Sequence, residues 1–264
     1  MTKHVLQRAI ESQVENGNRA FVPYMMAGDR GLDRLKEELL LFQKAGATAV
    51  ELGIPFSDPV ADGPTIQAAG KRALENGITL KHVLQEVRKI RADVQIPLVI
   101  MTYLNPVLQY GLREFAQDCH ESGISGVIVP DLPLEESDFL HDELRVFSIA
   151  LIQLVTLTSP VDRMERIAKA SEGFLYAVTV TGITGAKETF HENLADHVAM
   201  LKKVSPVPVL TGFGISTPAQ VRELSHYADG VIVGSKIIEA LQENDEQTIT
   251  ELIDAVKGRV EMKG

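Results

Sequence analysis

The run Ala49-Val50-Glu51-Leu52 sets one glutamate among apolar neighbours, and the segment after it carries Asp62 in a stretch bounded by glycine and proline. An ionised carboxylate is expensive to bury unless it is paired or opens onto a site. Low-dielectric surroundings disfavour its charge and move its pKa toward working pH, which suits proton transfer. Turned inward, Glu51 is an acid–base group; turned outward, it pairs with a basic residue on a helix. Asp62 is either a functional carboxylate or a turn-making or helix-capping aspartate. Asp131, in Pro130-Asp131-Leu132-Pro133, is open in the same way, and Tyr176 is either a facing group or simple packing.

Three glycine-bearing segments lie late in the chain: Thr181-Gly182-Ile183-Thr184-Gly185, Gly212-Phe213-Gly214-Ile215-Ser216 and Gly234-Ser235. Glycine lets backbone N–H groups approach an anion closely, and a helix starting near Ser235 would aim its free N–H groups and dipole at the same place. Singly these are tight turns; together they point to a phosphate. None has the spacing that cradles a nucleotide triphosphate. No lysine occupies a strand or its C-terminal end, Lys187 reading as a loop residue, so a Schiff-base nucleophile is missing. No histidine or cysteine cluster offers a metal site. What remains is carboxylate acid–base chemistry on a phosphorylated substrate: isomerisation, ring closure or carbon–carbon cleavage.

Such groups need elements to hold them. Eight short runs rich in Val, Ile and Leu alternate with helical stripes: Ala20 to Met25, Ala49 to Leu52, Leu98 to Met101, Gly126 to Val129, Ala150 to Val155, Phe174 to Val178, Pro208 to Leu210 and Gly230 to Val233. Alternation of this kind signals βαβ units and a parallel sheet, and the eightfold count favours a (β/α)8 TIM barrel over an open sheet. An extra N-terminal helix carries Val5, Leu6, Ala9 and Ile10 and could cover the barrel floor. An additional helix fits between strands two and three, with patterns over about Thr65 to Leu74 and Thr79 to Ile90. No linker divides residues 1–264, so one domain is expected. In barrels the loops after the strands carry the chemistry, and these are the places to search for function.

Composition agrees. The 264 residues are 45% hydrophobic and 23% charged, with one cysteine, Cys119, in helical step with Leu112 and Phe115. A net charge of -10 excludes a basic nucleic-acid footprint. No apolar stretch is long enough for a membrane span, and no signal peptide opens the chain, so a cytoplasmic protein is expected.

The wording of these motifs resembles the α subunits of tryptophan synthase. Phe21-Val22-Pro23-Tyr24, Glu51-Leu52-Gly53-Ile54-Pro55-Phe56-Ser57-Asp58-Pro59, Ala61-Asp62-Gly63-Pro64-Thr65-Ile66-Gln67, Pro130-Asp131-Leu132-Pro133, Thr184-Gly185 and Gly212-Phe213-Gly214-Ile215-Ser216 look like family segments in family order. The resemblance implies a lyase that cleaves indole-3-glycerol phosphate to indole and glyceraldehyde 3-phosphate by retro-aldol chemistry in tryptophan biosynthesis, with no cofactor or metal in this subunit. It implies Glu51 as the acid–base catalyst and Asp62 as its partner at the indole nitrogen. Tyr24, Met101, Ile128, Tyr176, Phe213 and Ile232 would surround the indole; Thr184, Gly185, Gly214, Gly234 and Ser235 would hold the phosphate. It also implies a pyridoxal-phosphate-dependent β subunit as partner, in an α2β2 heterotetramer, docking near Asp58 and Asn105. The family more often has a threonine and a proline where this chain has Met26 and Arg30, so a change in loop stiffness without loss of chemistry is expected. The segment from Ile183 to about Asn193 is expected to close over bound ligand. Other phosphate-binding barrels, and a barrel kept only to activate a partner, are the competing functions.

Overall fold

Strands too short and too uniformly apolar to face water on either side need cover on both faces, which a barrel supplies by closing on itself inside and carrying the helices of its βαβ connections outside. The computed structural model describes residues 2–156, 158–178, 187–212 and 214–258, with 2–3 and 187–193 as helical backbone alone. The chain runs α1 (Thr2–Glu15), β1 (Ala20–Met26), α2 (Leu35–Ala45), β2 (Val50–Gly53), α3 (Pro64–Glu75), α4 (Leu80–Ile90), β3 (Leu98–Met101), α5 (Leu104–Tyr110), α6 (Leu112–Glu121) and β4 (Ile124–Ile128). It continues through α7 (Asp138–Val146), β5 (Ala150–Ile152), β6 (Leu154–Thr156), α8 (Val161–Ala170), β7 (Leu175–Val178), α9 (Lys187–Val204), β8 (Val209–Gly212), α10 (Pro218–Leu224), β9 (Gly230–Val233), α11 (Ser235–Glu243) and α12 (Glu246–Asp254).

The sheet order is β5-β4-β3-β2-β1-β9-β8-β7-β6, and every pairing is parallel. Its two ends are successive segments of chain flanking Gln153, so the sheet is a nearly closed barrel. Nine strands therefore stand where eight are expected, because the run from Ala150 to Val155 is interrupted. Gln153 donates its backbone N–H to the Ser171 hydroxyl at 3.1 Å, and that hydroxyl donates to Phe174 O at 2.7 Å. The Gln153 carbonyl still accepts from Tyr176 N–H at 3.0 Å. A side chain thus takes one ladder bond at the turnover from the β4 side to the β7 side.

Alternation along each strand sorts residues into two layers. Ala20 and Val22 of β1, Ala49, Val99, Ile128 and Leu210 face the barrel axis in one buried cluster with Leu6 and Ile10 of α1. The N-terminal helix therefore caps the barrel floor, as its stripe suggested. Val50, Leu52, Ile100 and Val127 face outward against the helices. The paired helices between β2 and β3 are present, and α4 buries Leu80, Val83, Leu84, Val87 and Ile90 on one face, with Thr79 capping its start by accepting from His82 N–H. Losing such a cap costs about 1 kcal/mol.

Two further features differ from expectation. A further short helix, α5, follows β3; among its seven residues only Val107 is fully buried, too little for a stripe to register. Lys187 opens α9, so the stretch from Lys187 to Asn193 is helical, not loop; residues 183–186 lie outside the described residues. Arg30 in the altered loop after β1 ties α2 to the α11–α12 turn, pairing with Glu38 at 3.2 Å and donating to Asn244 Oδ1 at 2.5 Å. Met26 is buried, 4% exposed, against α3.

Candidate active site

Because Val50 and Leu52 face the helices, Glu51 between them must face the axis, in register with Tyr24 on β1 and Val99 on β3. It is 1% exposed, and its Oε2 has no hydrogen-bond partner. The outward, ion-paired reading is thereby excluded among the described residues. The carboxylate opens instead onto a cavity of about 220 Å³ at the C-terminal ends of the strands.

Asp62 reaches the same cavity from the β2–α3 loop. It is not a helix cap: the N-cap of α3 is Gly63, with Pro64 in the first turn and no side-chain cap bond. The Asp62 backbone N–H donates to Pro59 O at 3.1 Å, and its carbonyl accepts from the Gln67 amide at 2.8 Å, fixing the loop while leaving the carboxylate to the site. Tyr103, just past β3, holds this loop. Its hydroxyl accepts from Ala61 N–H at 3.0 Å and donates to the Asp62 carboxylate, and its ring stacks on Phe56 with centroids 5.1 Å apart.

The two carboxyls differ in their surroundings. Burial, reinforced by the Asp62 charge, raises Glu51 to about 8. Burial also raises Asp62, but the Tyr103 hydrogen bond opposes it and leaves the group at about 6. Burial therefore favours the neutral form more strongly at Glu51 than at Asp62, an arrangement suited to an acid beside an anion. Burial holds the Tyr24 and Tyr176 hydroxyls well above their ordinary range, with Asp62 and Glu51 adding to Tyr24 and Glu51 to Tyr176. Both rings have room because the strand ends opposite them are glycine: a Cβ on Gly53 would overlap the Tyr24 hydroxyl, and one on Gly212 would lie 2.5 Å from that of Tyr176.

Of the residues expected at the site, Tyr24, Met101, Tyr176, Gly214, Ile232, Gly234 and Ser235 line the cavity together with the two carboxylates. Ile128 stands behind them, in register with cavity-lining Met101 and fully buried in the interior cluster that it shares with Tyr176. Thr184, Gly185 and Phe213 lie outside the described residues. Sequence reading missed Tyr103, Ile66, Leu154, Lys236 and Glu239; only Ile66 carried a signal, as part of the Asp62 motif. Asp131 resolves as structural, accepting Leu104 N–H at 2.9 Å at the start of α5. At the β9 side, Gly234 is the N-cap of α11, whose first intrahelical bond is Ile238 N–H to Gly234 O, so the N–H groups before it are unpaired within the helix. A neighbouring hollow of about 470 Å³ shares Ala61, Pro130 and Leu154 with the cavity but contains neither carboxylate. Among the described residues no cluster of three or more His, Cys, Asp or Glu could hold a metal, and no helix is long and apolar enough to cross a membrane.

Fold and site together define a (β/α)8-barrel enzyme whose cavity, at the C-terminal ends of the strands, is lined by two carboxyl groups and the start of α11. Residues 10–263 match the family model of the tryptophan synthase alpha chain. The chain belongs to that family, and as a lyase it cleaves indole-3-glycerol phosphate in tryptophan biosynthesis. It is 52% identical to the tryptophan synthase alpha chain of Bacillus cereus over 252 residues, covering 96% of this chain and 98% of the relative. To that of Bacillus mycoides it is 54% identical over 243 residues, covering 92% and 94%. Among solved structures, tryptophan synthase of Mycobacterium tuberculosis superposes with a TM-score of 0.88 at 33% identity, covering 96% of this chain and 98% of that one. The alpha subunit from Legionella pneumophila superposes at 0.87, also at 33% identity, covering 97% and 98%.

Proposed function

We propose that Glu51 carries both protons of the cleavage and that Asp62 stabilises the charge created between the two transfers. The protonated Glu51 carboxyl donates to the indole ring carbon that bears the glycerol phosphate chain. Positive charge then spreads to the ring nitrogen, where ionised Asp62 accepts its N–H and offsets that charge. The Glu51 carboxylate next removes the proton from the adjacent side-chain hydroxyl. That carbon becomes the aldehyde, the carbon–carbon bond breaks, and its electron pair returns to the ring. Indole and glyceraldehyde 3-phosphate leave, Glu51 is again protonated, and neither a metal nor a cofactor is required in this subunit. Tyr24, Met101, Tyr176 and Ile232 supply an apolar slot for a flat ring, and Gly214, Gly234 and Ser235 receive the phosphate.

The observation that carries this reading is the buried, unpartnered Oε2 of Glu51 on a wall shared with Asp62. Family membership implies a β-subunit partner; we further propose an α2β2 assembly in the cytoplasm, with a pyridoxal-phosphate β subunit docking around exposed Asp58, Val60, Asn105 and Leu108. The chain acts as one barrel domain. The test is the pH profile of kcat/KM for indole release. Activity should fall below about pH 6 as Asp62 protonates, and above about pH 8 as Glu51 loses the proton it must give. A profile flat from pH 5 to 9 would contradict the assignment.

A further inference from the structure

The cavity wall carries three carboxylates, Glu51, Asp62 and Glu239, and among the described residues only one cation, Lys236. Lys236 sits in the first turn of α11, where unpaired N–H groups and the positive end of the helix dipole repel a cation and attract an anion. Its present partner is Glu239 one turn on, with Nζ 3.5 Å from the carboxylate and side chains 30% and 48% exposed. A long, half-exposed pair of this kind contributes little and is easily exchanged. The unpartnered, buried Glu51 oxygen aimed into the same cavity is independent evidence that a ligand belongs there.

We propose that Lys236 is a further phosphate-binding residue that sets specificity for phosphorylated ligands: when substrate arrives, its ammonium leaves Glu239 and pairs with the phosphate seated at Gly234 and Ser235. Backbone N–H groups fix where the phosphate lies, and Lys236 supplies the positive charge that a wall of carboxyl side chains lacks. Glu239 is then the resting counter-ion, competing with phosphate for the same ammonium. The inference rests on the phosphate assignment of this end of the cavity.

The test compares the parent chain with Lys236→Gln, Lys236→Arg, Glu239→Gln and Gly234→Asp, by calorimetric titration with glycerol 3-phosphate and with indole, and by steady-state cleavage of indole-3-glycerol phosphate. Lys236→Gln should weaken glycerol 3-phosphate about tenfold and raise KM by the same factor, the scale of a hydrogen bond to a charged group, while kcat and indole affinity hold. Lys236→Arg should restore most of the loss. Glu239→Gln should tighten glycerol 3-phosphate by removing the competitor. If Gly234→Asp loses glycerol 3-phosphate while Lys236→Gln binds it as the parent does, the phosphate site stands and the role of Lys236 is overturned. If both bind it unchanged, the phosphate assignment falls and this inference with it. A lowered melting temperature in Lys236→Gln with unchanged affinity would mark the pair as helix support alone, against the proposal.

Discussion

On the β2 side of the cavity the wall is made of side chains, Glu51 at 1% exposure and Asp62 braced by Tyr103, whereas on the β9 side Gly234 and exposed Ser235 offer chiefly backbone. In the proposed mechanism the first wall draws its chemistry from desolvation, which sets an acid beside an anion. In that proposed mechanism the second draws its affinity from a helix start that leaves donors unpaired at no cost in side-chain burial. Substitutions should therefore act on different kinetic constants: kcat at the buried wall, KM at the open one.

The largest effect is expected from Glu51→Gln, which keeps the shape and cannot exchange a proton: kcat should fall about a thousandfold, on the scale of general acid–base catalysis, with circular dichroism and glycerol 3-phosphate affinity unchanged. Retained turnover in a verified Glu51→Gln protein would falsify the acid–base assignment. Asp62→Asn comes next, lowering kcat about a hundredfold because an amide cannot offset charge at the ring nitrogen. Should single-turnover cleavage proceed at the parent rate, with only KM raised, Asp62 belongs to binding and the contrast between the walls collapses. The third is Gly234→Asp. A Cβ at this position would lie 3.6 Å from Tyr24 and Ile66, ordinary contact, so the added carboxylate acts through charge and not bulk. KM should rise on the order of tenfold with kcat held, about 1.4 kcal/mol of lost binding; an unchanged KM would remove the phosphate from this helix.

The strands were legible because β-branched runs buried on both faces look like little else, and Glu51 stood out because a charge inside such a run demands a reason. The break at Gln153 was not, since its cause is the hydroxyl of Ser171, remote in sequence, taking a ladder bond. Asp62 and Asp131 look alike as loop aspartates; only folding shows that one faces the cavity while the other accepts Leu104 N–H. Ile128 is level with Met101 on the next strand but is fully buried in the interior cluster, and an apolar strand residue carries no mark in the sequence of which of these surroundings it meets. Tyr103 escaped because an aromatic after a strand ordinarily packs, and its hydroxyl acquires a purpose only when the β2–α3 loop folds over it.

In the proposed mechanism burial keeps Glu51 protonated at rest while Asp62 is ionised. The direct measurement is a pH titration of the ligand-free protein by carboxyl-carbon NMR with labelled glutamate, the Glu51 signal being assigned by its loss in Glu51→Gln. A midpoint near 8, far above the ordinary 4.5, is the predicted result. A midpoint close to 4.5 would mean that Glu51 is already ionised at neutral pH, and it could not then be the acid that opens the reaction.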